Sequence, residues 1–367
     1  MLLEADDLPV HQAPTSLAHV MGGHPNAYDR FFFNGYREDL YFAVALGIYP
    51  NRGVIDAAVS TVVGSSQRSV FASGRLGERV PSLGPVTIEL VEPMRVATIH
   101  VDAPEHGLRA SITFTARSAA IEEPRQTRYD GERLFMDVTR ATQLGSWSGW
   151  LEVDGARIAL DDAVTYGTKD RSWGIRPVGD PAPMAPSQSA PQLFFVWAPL
   201  NFDDLGVHVS RFEDAEGVPW STTAAVTDLL GELDRPVDPR LVHHLRAASF
   251  EVGFASGRRR AAHAELNLTD ATGVASRISL EPLLTFRMRG AGYLHPTYAH
   301  GRFHGDLVVA GEVHDTAALD TTSIHDVHVQ HVVRARWGDK VGIGVLELLA
   351  IGPHLPSGLT GLLDGAP

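Results

Sequence analysis

From residue 40 to residue 165 the chain rarely runs far without a turn signal, and that rhythm limits what it can fold into. Short alternating segments (Val86–Val91, Arg95–Val101, Leu108–Thr115, Trp150–Val153, Arg157–Leu160) are separated by Gly, Pro, Asp or Glu. Such spacing, roughly one strand per ten residues, is the pattern of an antiparallel barrel or sandwich. Leu40–Tyr49 is an apolar strand, Pro50-Asn51-Arg52-Gly53 a turn, and Val54–Val63 the return, with Ile55, Ala57 and Val59 on one face. Val153-Asp154-Gly155-Ala156-Arg157 sets Asp-Gly between strand residues, a hairpin signal. Arg133–Leu144 is the best helix candidate of this half, with strand as the alternative.

The chain has 367 residues, more than one ordinary core holds, so two domains are expected. Pro177, Pro181, Pro183, Pro186 and Pro191 crowd into one short stretch that can be neither helix nor central strand. This predicts an N-terminal β domain over 1–176 with an irregular proline-containing arm, a linker over 177–191, and a C-terminal β domain over 192–367. The second half resumes the strand rhythm at Leu193–Leu200, and Gly206–Phe212 alternates cleanly. Later strands are expected at Phe303–Val313, Val327–Trp337 and Val341–Ala350, with a short helix at Val226–Leu233. After Gly352–Gly358 the tail reads as loose.

Several function classes fall away. Net charge is −13, and the only dense basic run is Arg258-Arg259-Arg260, which argues against a nucleic-acid partner. With no cysteine there is no disulfide, thiolate chemistry or cysteine-ligated metal. The first residues, Met1–Asp7, lack a basic segment followed by an apolar core, and no run is apolar enough to span a bilayer, so a soluble cytoplasmic protein without an integral membrane segment is expected. The sequence contains no P-loop, nucleophile elbow, zincin motif or dinucleotide fingerprint, so no cofactor is expected. Seven histidines fall between His295 and His331, but none at an established ligand spacing. They read as hydrogen-bonding or pocket-mouth residues, and no metal is expected.

Chemistry concentrates in Tyr166-Gly167-Thr168-Lys169-Asp170-Arg171-Ser172-Trp173-Gly174, which groups a carboxylate, a guanidinium and an indole. On a regular strand Asp170 and Ser172 share one face, Arg171 and Trp173 the other. A bulge at Gly167 or Gly174 would be needed to turn Asp170 and Trp173 into one cavity. Two readings stand: Trp173 as a plug beside a structural carboxylate, or Asp170 as a general acid raised by an apolar surround. Contact with Arg171 would oppose the second. The aromatic cluster Tyr28–Tyr36 likewise reads as core packing or as a cavity lining.

Asp170-Arg171-Ser172-Trp173-Gly174 resembles the Asp-Arg-Glu-Trp-Gly pattern of the carotenoid 1,2-hydratase and AttH-like superfamily, with Ser172 replacing the glutamate. Gly292-Tyr293-Leu294-His295-Pro296 through His300-Gly301, and Ile351–Gly358, are similar to strings in bacterial members of that group. The resemblance implies two lipocalin-like antiparallel β domains packed together. It also implies a cofactor-independent hydratase or lyase acting on a double bond of an apolar isoprenoid, steroid-like or polyketide compound. Asp170 would protonate the alkene, and Tyr293 and His295 would position water or take the final proton. Trp173, Arg171, Tyr28, Phe32, Tyr36, Trp197, Tyr298 and His300 would line the substrate site. The alternatives are a carrier of an apolar metabolite and a cyclase that holds a reactive conformer.

Overall fold

The computed structural model describes residues 14, 16–180, 187, 190–318, 320 and 322–367. Residues 1–13, which hold most of the N-terminal arm, and residues 181–186 of the linker lie outside the described residues. Among the described residues no helix is long and apolar enough to cross a membrane.

The chain is all-β and lipocalin-like, with two curled antiparallel sheets packed against each other. Among the described residues the first has fourteen strands. Its central run is Leu40–Tyr49, Ala27–Arg37, Tyr166–Ile175, Arg133–Val153 and Leu108–Ala116, each hydrogen-bonded to the next. The second has nine, centred on Leu193–Asn201, Lys340–Ile351, His328–Trp337 and Ala275–Arg287. Leu307–Asp315 is late in sequence but pairs with Ser66–Arg75 at the end of the first sheet.

Burial explains why the central strands are apolar on both sides. In Ala27–Arg37, Phe31 and Phe33 point into the first sheet's own core with Phe42, Phe114 and Trp147. Phe32 and Tyr36 point the other way, into a layer shared with Phe195, Trp197, Phe212 and Phe286 of the second sheet. Leu40–Tyr49 is buried at every position for the same reason. Polar contacts lock the sheets in register: the Gln330 carbonyl accepts from Tyr41 OH (2.6 Å) and Asn34 Nδ2 (3.2 Å), and Ser60 Oγ donates to the carbonyl of Gly290 (2.8 Å).

Neither helix candidate is helical, and for Arg133–Leu144 the strand alternative holds. Arg133–Val153 is one 21-residue strand, because Val138, Arg140 and Thr142 alternate against Tyr166–Ile175. Val226 lies in Pro219–Asp228, where β-branched residues pair with Leu205–Glu213. The Asp-Gly hairpin forms: Asp154 (φ 49°) and Gly155 (φ 81°) turn the chain, and Val153 pairs with Ala156. The tail is anchored rather than loose. Leu359 and Ala366 enter the second core, and the buried Arg259 guanidinium donates to the carbonyls of Ala350, Gly352, Gly361 and Asp364.

Candidate active site

Between the sheets lies a cavity of about 200 Å³. The first sheet contributes Tyr28, Phe32, Val138, Arg140 and Asp170, with Arg176 just past its strand; the second contributes Phe195, Trp197, Phe212, His328, Glu347 and Leu349. Met288 and Tyr293 join the wall from a loop held down by Gln67, whose amide exchanges hydrogen bonds with the backbone of Arg287 (2.8 and 2.9 Å), and Gln126, Met136 and Leu193 also line it. Phe195 and Phe212 stack at 4.3 Å and form the apolar side.

Asp170 reaches this space through strand alternation alone. Its register partners are Phe32 and Thr142, and pairing on both sides runs unbroken from Tyr166 to Ile175. The Asp170 side chain is only 14% exposed, and Oδ1 has no hydrogen-bond partner within the protein. Burial pushes its carboxyl up to about 7. Arg140, whose Nε is 4.0 Å away, and Arg176 pull it back down, while Glu123 and Glu347 add to the rise. A carboxyl in this range holds a proton near neutrality and can give it up.

Arg140 does not neutralise Asp170 because a stronger carboxylate claims it. Glu123, 3.7 Å from the guanidinium, also accepts from His208 Nε2 (3.3 Å) and Ser210 Oγ (3.0 Å). Burial opposes ionisation of Glu123, but Arg140 and these donors hold it down at about 2.

A second titratable group enters from the other sheet. His328 Nε2 donates to Glu347 Oε1 (2.6 Å), whose Oε2 accepts from Gln330 Nε2 (2.5 Å). Nδ1 of His328 has no partner in the protein. A carboxylate can only accept, so Nε2 carries the hydrogen and, in the neutral ring, Nδ1 offers a lone pair. The cavity thus combines a protonatable carboxyl on one sheet with a carboxylate-oriented imidazole on the other.

The expected site residues separate into groups. Asp170, Tyr28, Phe32, Trp197 and Tyr293 share the cavity. Trp173 does not: the strand does not bulge, so the indole lies on the opposite face and is 37% exposed. Arg171 is on that face too, over the Phe31 ring (3.6 Å) and donating to Asp29 (2.7 Å) and to the Arg30 carbonyl (2.5 Å), away from Asp170. Tyr36 is buried in the shared layer, accepting from Asn201 Nδ2 (2.9 Å), with burial pushing its hydroxyl up to about 12. His295 is a loop organiser: Nδ1 accepts from the amides of Thr297 and Tyr298, so Nε2 donates to Glu312 (3.1 Å). Tyr298 stacks on Phe71 (5.2 Å) outside the cavity. His300 stands behind the wall, bonded to the Ala291 carbonyl (2.9 Å) and in contact with the Tyr293 ring.

The histidine-rich segment disperses in the same way. His304 contacts the Thr297 carbonyl, His314 Glu312, His325 the Leu294 carbonyl and His331 Thr285. Among the described residues no three His, Asp or Glu side chains converge on a point suited to a metal ion.

Sequence reasoning missed Arg140, Glu347 and Arg176, and read His328 only as one of seven hydrogen-bonding or pocket-mouth histidines. Glu347 carried a visible signal, as a single acid inside the apolar run Val345-Leu346-Glu347-Leu348. A lone carboxylate in a strand buried on both faces needs buried partners.

A model of a family of unknown function (DUF8625) matches residues 2–360, so the chain belongs to that family. No curated protein matches it significantly. Among solved structures it is similar to a protein assigned as AttH from Nitrosomonas europaea, with a TM-score of 0.54 and 13% identity over 88% of this chain and 92% of that one. The likeness shows an AttH-like fold.

Proposed function

We propose that this member of the family of unknown function is a cofactor-independent lyase that adds water to, or removes it from, a carbon–carbon double bond of a small apolar molecule. The observation that carries the reading is Asp170, an acid with an unpartnered oxygen in an aromatic cavity that also holds the His328–Glu347 pair. Asp170 would deliver its proton to one alkene carbon. Water would attack the other and lose its proton to His328 Nδ1. The π bond is consumed, one C–H and one C–O bond form, and a proton passing from His328 back to Asp170 resets the site. Glu347 would stabilise the imidazolium formed in between.

Cavity size narrows the ligand. A cavity of about 150 Å³ holds a benzene-sized molecule, so about 200 Å³ suits a single substituted ring or a short branched chain. A fused steroid skeleton is larger than this volume.

The test is incubation with a panel of small cyclic and branched alkenes in oxygen-18-labelled water, read by mass spectrometry. The expected product gains one labelled water, and Asp170→Asn should slow turnover by about 10²–10⁴-fold with ligand affinity retained. An Asn variant as active as the wild type would remove Asp170 from the mechanism. Ligand recovered unchanged would favour a carrier, and product of unchanged mass a cyclising enzyme.

A further inference from the structure

Of the two cations at the cavity wall, Arg140 is paired with Glu123 and Arg176 is not. Arg176 contacts the cavity, stacks its guanidinium over the Tyr28 ring at 4.5 Å and lies 5.8 Å from the Tyr293 ring. The polar side-chain contact its guanidinium makes is NH2 to His300 Nδ1, at 3.5 Å. Because His300 Nε2 faces the Ala291 carbonyl, Nδ1 acts as the acceptor there. Among the described residues no carboxylate lies within 4.0 Å of the Arg176 guanidinium, whereas Arg140 at the same cavity has Glu123. A guanidinium held between rings at a low-dielectric wall, with no carboxylate in direct contact, favours an anionic partner of planar shape.

Two further groups of the cavity lining support the same partner. Tyr28 is 2% exposed, and its hydroxyl has no hydrogen-bond partner within the protein. The indole Nε1–H of Trp197, on the facing sheet, also lacks one. An indole N–H only donates, a phenol can donate, and Arg176 supplies further N–H groups, so besides the Asp170 Oδ1 and His328 Nδ1 acceptors used in the acid–base step the cavity holds unpartnered donors for a ligand. A ligand that completes this wall brings oxygen acceptors at one end and apolar surface for Phe195 and Phe212 at the other.

We propose that the cavity takes a small apolar carboxylic acid, bound as its carboxylate by Arg176 with Tyr28, and with its hydrocarbon part against Phe195 and Phe212. This rests on the reading of the cavity as the substrate site and names the substrate class. In an unsaturated acid the double bond would lie next to the carboxylate. Arg176 would hold electron density at the carboxylate as water adds to the carbon beyond, its proton going to His328, while Asp170 protonates the carbon beside the carboxylate. One C–O and one C–H bond replace the π bond, with no change of oxidation state overall.

Benzoate and toluene, matched in ring and differing in the carboxylate, are the probes, with binding measured by calorimetry at neutral pH. Benzoate should bind the wild-type protein at least about tenfold more tightly than toluene, as a charge-assisted contact requires. Arg176→Met should abolish that preference and keep toluene binding, while Arg176→Lys should retain part of it. Equal affinity of the two probes for the wild type would overturn the proposal without any variant having to fold, and so would benzoate affinity unchanged in a folded Arg176→Met protein. Asp170→Asn should still bind benzoate. Loss of the carboxylate preference is therefore distinguishable from failure of the acid role, which turnover of the Asn variant reports.

Discussion

Replacing Asp170 with Asn should make the protein more stable than the wild type in mildly alkaline solution, and the gain should vanish in acid. Burial lifts the folded-state carboxyl from its ordinary 3.8 to about 7. Between those values the native protein holds a proton that the unfolded chain has released, so wild-type stability falls as pH rises through that window. At about 1.4 kcal/mol per pH unit, the loss reaches about 4 kcal/mol above pH 7, an upper limit because the side chain retains some exposure. Asn has no charge to desolvate and does not share this loss. The assay is urea unfolding of both proteins at pH 5 and pH 8.5, with the difference between them taken at each pH so that other titrating groups cancel. The Asn variant should gain about 2–3 kcal/mol on the wild type between the two conditions, since only the span from pH 5 to about 7 is crossed. A difference that stays constant, or that moves the other way, would mean that Asp170 is an ordinary ionised carboxylate, and the acid role would fall with it.

Trp173→Ala should leave ligand affinity within about twofold of wild type, because the indole is on the far face of its strand, whereas Trp197→Ala should weaken binding about tenfold or more; calorimetry with a cavity ligand separates the two. Gly167→Ala should cost about 1–3 kcal/mol or more, read as a lowered melting temperature, because a methyl there would sit 2.2 Å from Trp147 Nε1 and 2.3 Å from the Asn34 carbonyl. Glu347→Ala should cost about 1–3 kcal/mol per stranded donor, since it removes the acceptor of both His328 and Gln330, and urea unfolding measures it.

The fold was legible because its cause is local. Alternation and turn chemistry are written into neighbouring residues, so the Asp154-Gly155 hairpin and the strand after Pro50–Gly53 could be read directly. The Arg133–Leu144 ambiguity arose because its alternation is made of Arg, Thr and Gln, residues as common in helices. Only pairing to Tyr166–Ile175 decides the matter, and that partner is distant in sequence. The site was half legible for the same reason. Asp170 stood out as a carboxyl in an aromatic string, and the two-residue period correctly separated its face from that of Arg171 and Trp173. What alternation cannot supply is the opposing wall. His328 and Glu347 meet Asp170 because two sheets pack face to face, and nothing near position 170 encodes that meeting. His295, in a motif-like string, was the more conspicuous histidine. Its nitrogens are nevertheless occupied by its own loop and by Glu312.

The account depends on Asp170 holding a proton near neutrality inside the cavity, and difference infrared spectroscopy of wild type against Asp170→Asn observes that proton directly. The carboxylic-acid carbonyl band assigned to Asp170 should persist at pH 6 and disappear with a midpoint near 7. A band already lost by pH 5, with a midpoint near the ordinary 3.8, would contradict the account.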